Sequence, residues 1–114
     1  LDMQPDVSIV IVSMNNTGFL FPCLDGIREH TRSTYETLVV AYMFSKGNLA
    51  ELKSKYPWVT VIESQELRGF AENNNLALRQ ASGKYTFIVN DFFSFFIRHI
   101  VEINFFVIFN FSVD

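Results

Sequence analysis

The sequence predicts an α/β fold on a parallel sheet, and three observations predict it. Short β-branched runs alternate with segments whose apolar residues recur at helical spacing. The first run, Val7 to Val12, is apolar without strict alternation, as in a strand covered on both faces. Turn and capping residues stand between the segments. Strand, helix, strand, helix, strand, helix, strand is the order of βαβ units, whose crossovers are right-handed.

Each element has its own signal. Val7 to Val12 follows Pro5, and Asn15, Asn16, Thr17 and Gly18 break the run and offer a helix cap. Leu20, Cys23, Leu24 and Ile27 form one stripe, which predicts an amphipathic helix over Phe19 to His30. Leu38-Val-Val40 centres a second strand within Tyr35 to Tyr42. Asn48 and Glu51 make a capping-box-like pair for a short helix with Leu49, Leu52 and Tyr56 on one face, ended by Pro57. Trp58 to Ile62 has the residue types of a third strand. Gly69 to Ser82 is expected to be helical, with Phe70, Ala71, Asn74, Ala77, Leu78 and Ala81 on one face and Gly83 as its C-terminal cap. Tyr85 to Val89 is the fourth strand.

Composition narrows the classes. A chain of 114 residues is one domain on length, and it can bury roughly two thirds of its unfolded surface. A net charge of -3 gives no basic footprint for nucleic acid. One cysteine, Cys23, cannot pair within the chain and suits a reducing compartment; its place on the apolar stripe makes it a core residue. No signal peptide is legible at the N-terminal end. Of 13 phenylalanines, eight lie between Phe92 and Phe111. From Val101 to Val113 alternate residues are apolar, which predicts a long strand. At about 3.3 Å per residue it would span roughly 40 Å, so it is expected to bend or to pair with a second chain as a dimer. Arg98, His99, Glu102, Asn104 and Asn110 argue against a transmembrane helix there.

Three segments carry a family resemblance. They are Val7-Ser-Ile-Val-Ile-Val-Ser-Met-Asn-Asn16, Leu67-Arg-Gly-Phe-Ala-Glu-Asn-Asn-Asn75 and Ala81-Ser-Gly-Lys-Tyr-Thr-Phe-Ile-Val-Asn-Asp91. In this order and spacing they resemble the family 2 glycosyltransferases of the GT-A type, from about Asp6 to Asp91. The resemblance implies a Rossmann-like three-layer parallel sheet, to which the alternation of the tail adds an extra C-terminal strand. It divides the chain into a nucleotide-sugar-binding region, 1–91, and a Phe-rich tail, 92–114.

It also implies a chemistry. A sugar nucleotide is a diphosphate ester, bound in the crevice at the carboxyl ends of parallel strands. A divalent cation, manganese or magnesium, bridges the phosphates and stabilises the departing nucleoside diphosphate. By resemblance Ser13, Met14 and Asn15 lie near the base and ribose of a donor such as a UDP-sugar. Ala41 stands where the family carries a base-contacting aspartate, and Asp91 is the candidate metal ligand. Two departures weaken that site: Ala41 itself, and Phe92 where the metal motif usually ends in aspartate. Past Phe92 the resemblance stops, as in a truncation, a diverged terminus or an altered reading frame.

The expected function is therefore a glycosyltransferase-like donor module of cell-surface polysaccharide or glycoconjugate synthesis, cytoplasmic or at the membrane's inner face, with little transferase activity of its own. The alternative is a degenerate α/β domain that has lost its ligand and self-associates through the tail. A flavodoxin-like or receiver domain lacks support, because Ser13-Met14-Asn15 stands where an acidic cluster or phosphate loop would be. Taken singly, Asn15 and Asn16 suit a turn or cap, one of Asn73 to Asn75 suits loop backbone, Arg68 suits solvent, Trp58 suits strand packing, and His30 and His99 have no companion ligands.

Overall fold

The computed structural model describes residues 3–89; the predicted tail strand and Asp91 lie outside them. Seven elements follow in the expected order: β1 (Val7–Met14), α1 (Thr17–His30), β2 (Tyr35–Tyr42), α2 (Lys46–Lys55), β3 (Thr60–Ser64), α3 (Phe70–Leu78) and β4 (Tyr85–Val89). The four strands form one parallel sheet in the order β3-β2-β1-β4. The α/β expectation holds.

β1 is central and buried because its two faces feed two cores. Ile9 and Ile11 join Val39 and Ala41 of β2 under Leu20, Cys23, Leu24 and Ile27 of α1 and Leu52 of α2. Val10 joins Leu38 and Val40 on the opposite face, under Ala77 of α3. The sheet is thus the middle of three layers. The stripe read for α1 is buried in full, Cys23 included.

Element ends differ from the sequence reading for local reasons. α1 begins at Thr17 because Asn16 is its cap, its carboxamide oxygen accepting from the Phe19 N–H. The helix also runs through Pro22, whose missing N–H would have bonded the Gly18 carbonyl. Ser45, not Asn48, caps α2: its hydroxyl accepts from the Asn48 N–H, so the helix starts earlier than the Asn48–Glu51 pair suggested. β3 starts two residues later than expected. Trp58 lies in the turn after Pro57 and packs edge-on against Tyr35 and Tyr56, each at 6.2 Å between ring centroids. Aromatic packing in the turn uses the side chain that had suggested a strand.

α3 is shorter than Gly69 to Ser82. It stops at Leu78, and it buries Asn73, Asn74 and Ala77 while Phe70 is exposed. Gly83 is not its cap. It lies where the chain crosses the start of β1, and a Cβ there would stand 2.6 Å from the Ser8 nitrogen. Its N–H donates to Ser8 Oγ at 2.7 Å. Ser8 Oγ in turn donates to the Glu36 carboxylate, which also accepts from the Ser82 N–H at 2.6 Å. That corner fixes where β4 enters the sheet, with Lys84 and Tyr85 N–H donating to the Pro5 and Asp6 carbonyls.

Candidate functional site

The strand order sets where a ligand can bind. The chain steps from β1 to β2 to β3 in one direction and then crosses to place β4 on the other side of β1. The crevice of an open parallel sheet lies at such a switch point, outside the carboxyl ends of the strands. Here those ends are Met14 and Val89, with the loops that follow β1, β2 and β3 around them.

Asn15 organises the first two loops. It adopts a left-handed backbone with φ 50°, a conformation asparagine tolerates better than most residues. Its Oδ1 accepts from the Ser45 N–H and from Asn48 Nδ2, both at 2.9 Å. The loop after β1 is thereby tied to the start of α2. Met43 is the second left-handed residue, φ 54°, directly after β2; its N–H donates to the Ser64 carbonyl at 2.8 Å.

A second network joins the ends of β2 and β3 to α3. Buried Ser64 Oγ donates to Asn73 Oδ1 at 2.7 Å and accepts from Arg68 Nη1 at 3.0 Å. The Arg68 N–H donates to Tyr42 Oη, and Arg68 Nη2 meets Glu66 at 3.2 Å. Arg68 is therefore not a solvated surface arginine: its side chain is 25 % exposed and held at the strand ends. Asn73 Nδ2 donates to the Arg68 carbonyl, as expected for one of the three asparagines satisfying loop backbone. The sequence reading missed Ser64 and Tyr42. Their hydroxyls carry no local motif; only the parallel register of Tyr42 beside Ser64 brings them together.

The structure separates the candidate binding residues. Met14 is 63 % exposed, and Asn15 is exposed beside it. Ser13 and Ala41 are buried and paired across the ladder. Ser13 Oγ donates inward to the Asn16 carbonyl, and Ala41 belongs to the core under α1 and α2. Neither presents a side chain to a ligand. The residues after β2 that reach the surface are Met43 and Ser45. Phe19, Leu67 and Phe70 are also exposed on the loops or first helical turns at this end, with Leu67 at 87 %.

The described residues do not by themselves fit a divalent cation: no three histidine, cysteine, aspartate or glutamate side chains converge among them. Asp91, the candidate ligand, lies outside them.

A separate cleft of about 380 Å³ lies at the opposite end of β2, lined by Arg28, Tyr35, Glu36, Thr37 and Trp58. Thr37 Oγ1 and Trp58 Nε1 are buried without a hydrogen-bond partner among the described residues, each at a cost of about 1–3 kcal/mol. Burial raises the pKa of Tyr35, with Arg28 opposing the shift. None of this cleft was legible as a site in the sequence.

No family model matches the chain. It is 26 % identical over 85 residues to an uncharacterized glycosyltransferase of Haemophilus influenzae, covering 75 % of this chain and 29 % of that protein. The mannosyltransferase PcManGT from Pyrobaculum calidifontis, solved with GDP-Man and Mn2+, superposes with a TM-score of 0.65 at 26 % identity, covering 77 % of this chain and 28 % of that one. TarS of S. aureus (residues 1–349) superposes at 0.62 and 19 % identity, over 75 % and 27 % of the two chains; at that identity the likeness speaks for the fold. The chain is thus similar in sequence and fold to glycosyltransferases, and it spans less than a third of the length of these relatives.

Proposed function

We propose that residues 1–91 form the nucleotide-sugar-binding part of a family 2, GT-A-type glycosyltransferase, and that 92–114 are a separate Phe-rich tail. The observation that carries this is the 26 % identity to a mannosyltransferase solved with GDP-Man and Mn2+, over 77 % of this chain. The switch point beside Met14 offers the place for the ligand. Met14 and Asn15 reach the base and ribose by side chain, Ser13 and Ala41 act only as backbone, and Arg68 waits at the end of β3 for a polar group of the nucleotide. A carboxylate beyond Val89, Asp91 first, holds the divalent cation.

The donor side is what these residues supply, so binding is the activity to measure, and transfer is expected to be weak. The reaction class is sugar transfer in polysaccharide or glycoconjugate assembly on the cytoplasmic side of a membrane. Among the described residues no helix is long and apolar enough to cross one. Calorimetric titration with UDP, GDP and dTDP, each with and without manganese, tests the proposal. Metal-dependent binding of one nucleotide, weakened by Arg68→Ala, is the expected result; no heat with any of them from folded protein refutes it. A second reading is a degenerate domain that self-associates through its tail, and the exposed Met14, Phe19, Leu67 and Phe70 add apolar surface that supports it. A dimer by light scattering without nucleotide binding would favour it.

A further inference from the structure

We infer that the cleft at the N-terminal end of β2 binds a saccharide unit bearing an anionic group, a site apart from the nucleotide crevice. β2 begins at Tyr35 beside Val7, whereas β3 begins at Thr60 opposite Leu38. Tyr35, Glu36 and Thr37 therefore run past the start of β3 and leave a notch in the sheet. The Val7 N–H donates to the Thr34 carbonyl, which fixes the parity of the ladder. In a parallel pair alternate residues bond to alternate neighbours, so the main chain of Glu36 faces β1, while that of Tyr35 and the N–H of Thr37 face the notch. Trp58, in the turn before β3, closes its far side, and Arg28 reaches it from α1.

Among the described residues, the lining offers one cation and two donors without partners. Arg28 offers only donors, and so does the indole N–H of Trp58. Neither that N–H nor the Thr37 hydroxyl has a partner among the described residues. The one carboxylate, Glu36, is already engaged by Ser8 and Ser82. Tyr35 and Trp58 meet edge-on at 86° and supply aromatic surface. A donor-rich cleft with aromatic walls suits a ligand with an apolar face and a charged acceptor, which is the make-up of a uronic acid or a sugar phosphate. A volume of about 380 Å³ is near the lower end for small-molecule sites, room for a single sugar unit.

Trp58 is the one tryptophan in the chain, so intrinsic fluorescence reports on this cleft. At roughly 3.3 Å per residue the cleft lies about 23 Å along β2 from the nucleotide crevice, so the two sites are measured separately. The full chain is titrated with glucuronate, glucose 6-phosphate, glucose, inorganic phosphate and UMP. We expect a saturable change with both acidic sugars in the millimolar range, and at least tenfold weaker response to glucose, phosphate and UMP. Arg28→Gln should weaken the acidic sugars by about tenfold or more, the scale of a charge-assisted hydrogen bond. Thr37→Val should weaken them a few-fold, with the circular dichroism of both variants unchanged. No saturable response to either acidic sugar, an unaltered response in Arg28→Gln, or an equal response to phosphate or UMP would each overturn the inference.

Discussion

At the N-terminal ends of β1, β2 and β4, polar groups from three segments close on one another. Ser8, Glu36, Ser82 and Gly83 share a carboxylate and a hydroxyl at 2.5 to 2.7 Å, with no room for a Cβ at Gly83. At the C-terminal ends the chain does the reverse. Two residues sit in left-handed conformation, and Met14, Phe19, Met43, Leu67 and Phe70 are exposed. The closed end specifies how β4 joins the sheet. The open end keeps conformational strain and apolar exposure in the loops that follow the strands. Strain and exposed apolar surface at one end of an otherwise consistent fold are what a functional site leaves behind.

The sharpest way to break the comparison is Gly83→Ala. The new Cβ would meet the Ser8 nitrogen and the Val7 carbonyl carbon, which are backbone and cannot swing away. We expect a loss of about 3 kcal/mol, measured by urea unfolding; a loss under about 0.5 kcal/mol would show the corner is not tight. Glu36→Ala strands two donors, Ser8 Oγ and the Ser82 N–H, and should cost about 2 kcal/mol in the same assay.

At the open end Asn15→Ala should cost about 1 kcal/mol, because it removes two hydrogen bonds and disfavours positive φ. Asn15→Gly keeps the backbone and isolates the hydrogen bonds; nucleotide affinity measured for both separates loop shape from contact. Tyr56 gives a pH test on the α1–α2 side. Its hydroxyl donates to Asp25 at 2.9 Å, and burial first, then that bond and nearby carboxylates, raise its pKa above the usual 10.0. A raised tyrosine pKa means stability is fully present below pH 10 and is lost as pH climbs above it. Tyr56→Phe should cost about 1 kcal/mol at neutral pH and flatten the alkaline decline, leaving the part due to Tyr35. The smallest effect is expected at the rim. Leu67→Ser should change stability by less than about 0.5 kcal/mol, and a larger loss in thermal melts would show that Leu67 is covered after all.

Much of the fold was legible because it is local or periodic. The stripe of Leu20, Cys23, Leu24 and Ile27 and the runs at Val7 and Leu38 are dictated by burial on a helix or strand, whatever lies opposite. Less of the site was legible. Ser13 and Ala41 lie at the positions the family pattern marks, but one pleat decides that their side chains turn inward while Met14 turns out. Ser64 and Tyr42 are ordinary residues in sequence and come together only through the β2–β3 register.

The sequence by itself determined the order of strands and helices, the two apolar faces of β1 and the family likeness, since composition and period act within a few residues. The tertiary structure alone decided that Gly83 is a contact and not a cap, that Arg68 is held and not solvated, and that Tyr35 and Trp58 frame a cleft. Those facts depend on meetings such as Arg68 with Tyr42 and Gly83 with Ser8, 26 and 75 residues apart, at hydrogen-bond range. No local propensity encodes such a meeting, because it is the sheet that sets which strangers become neighbours.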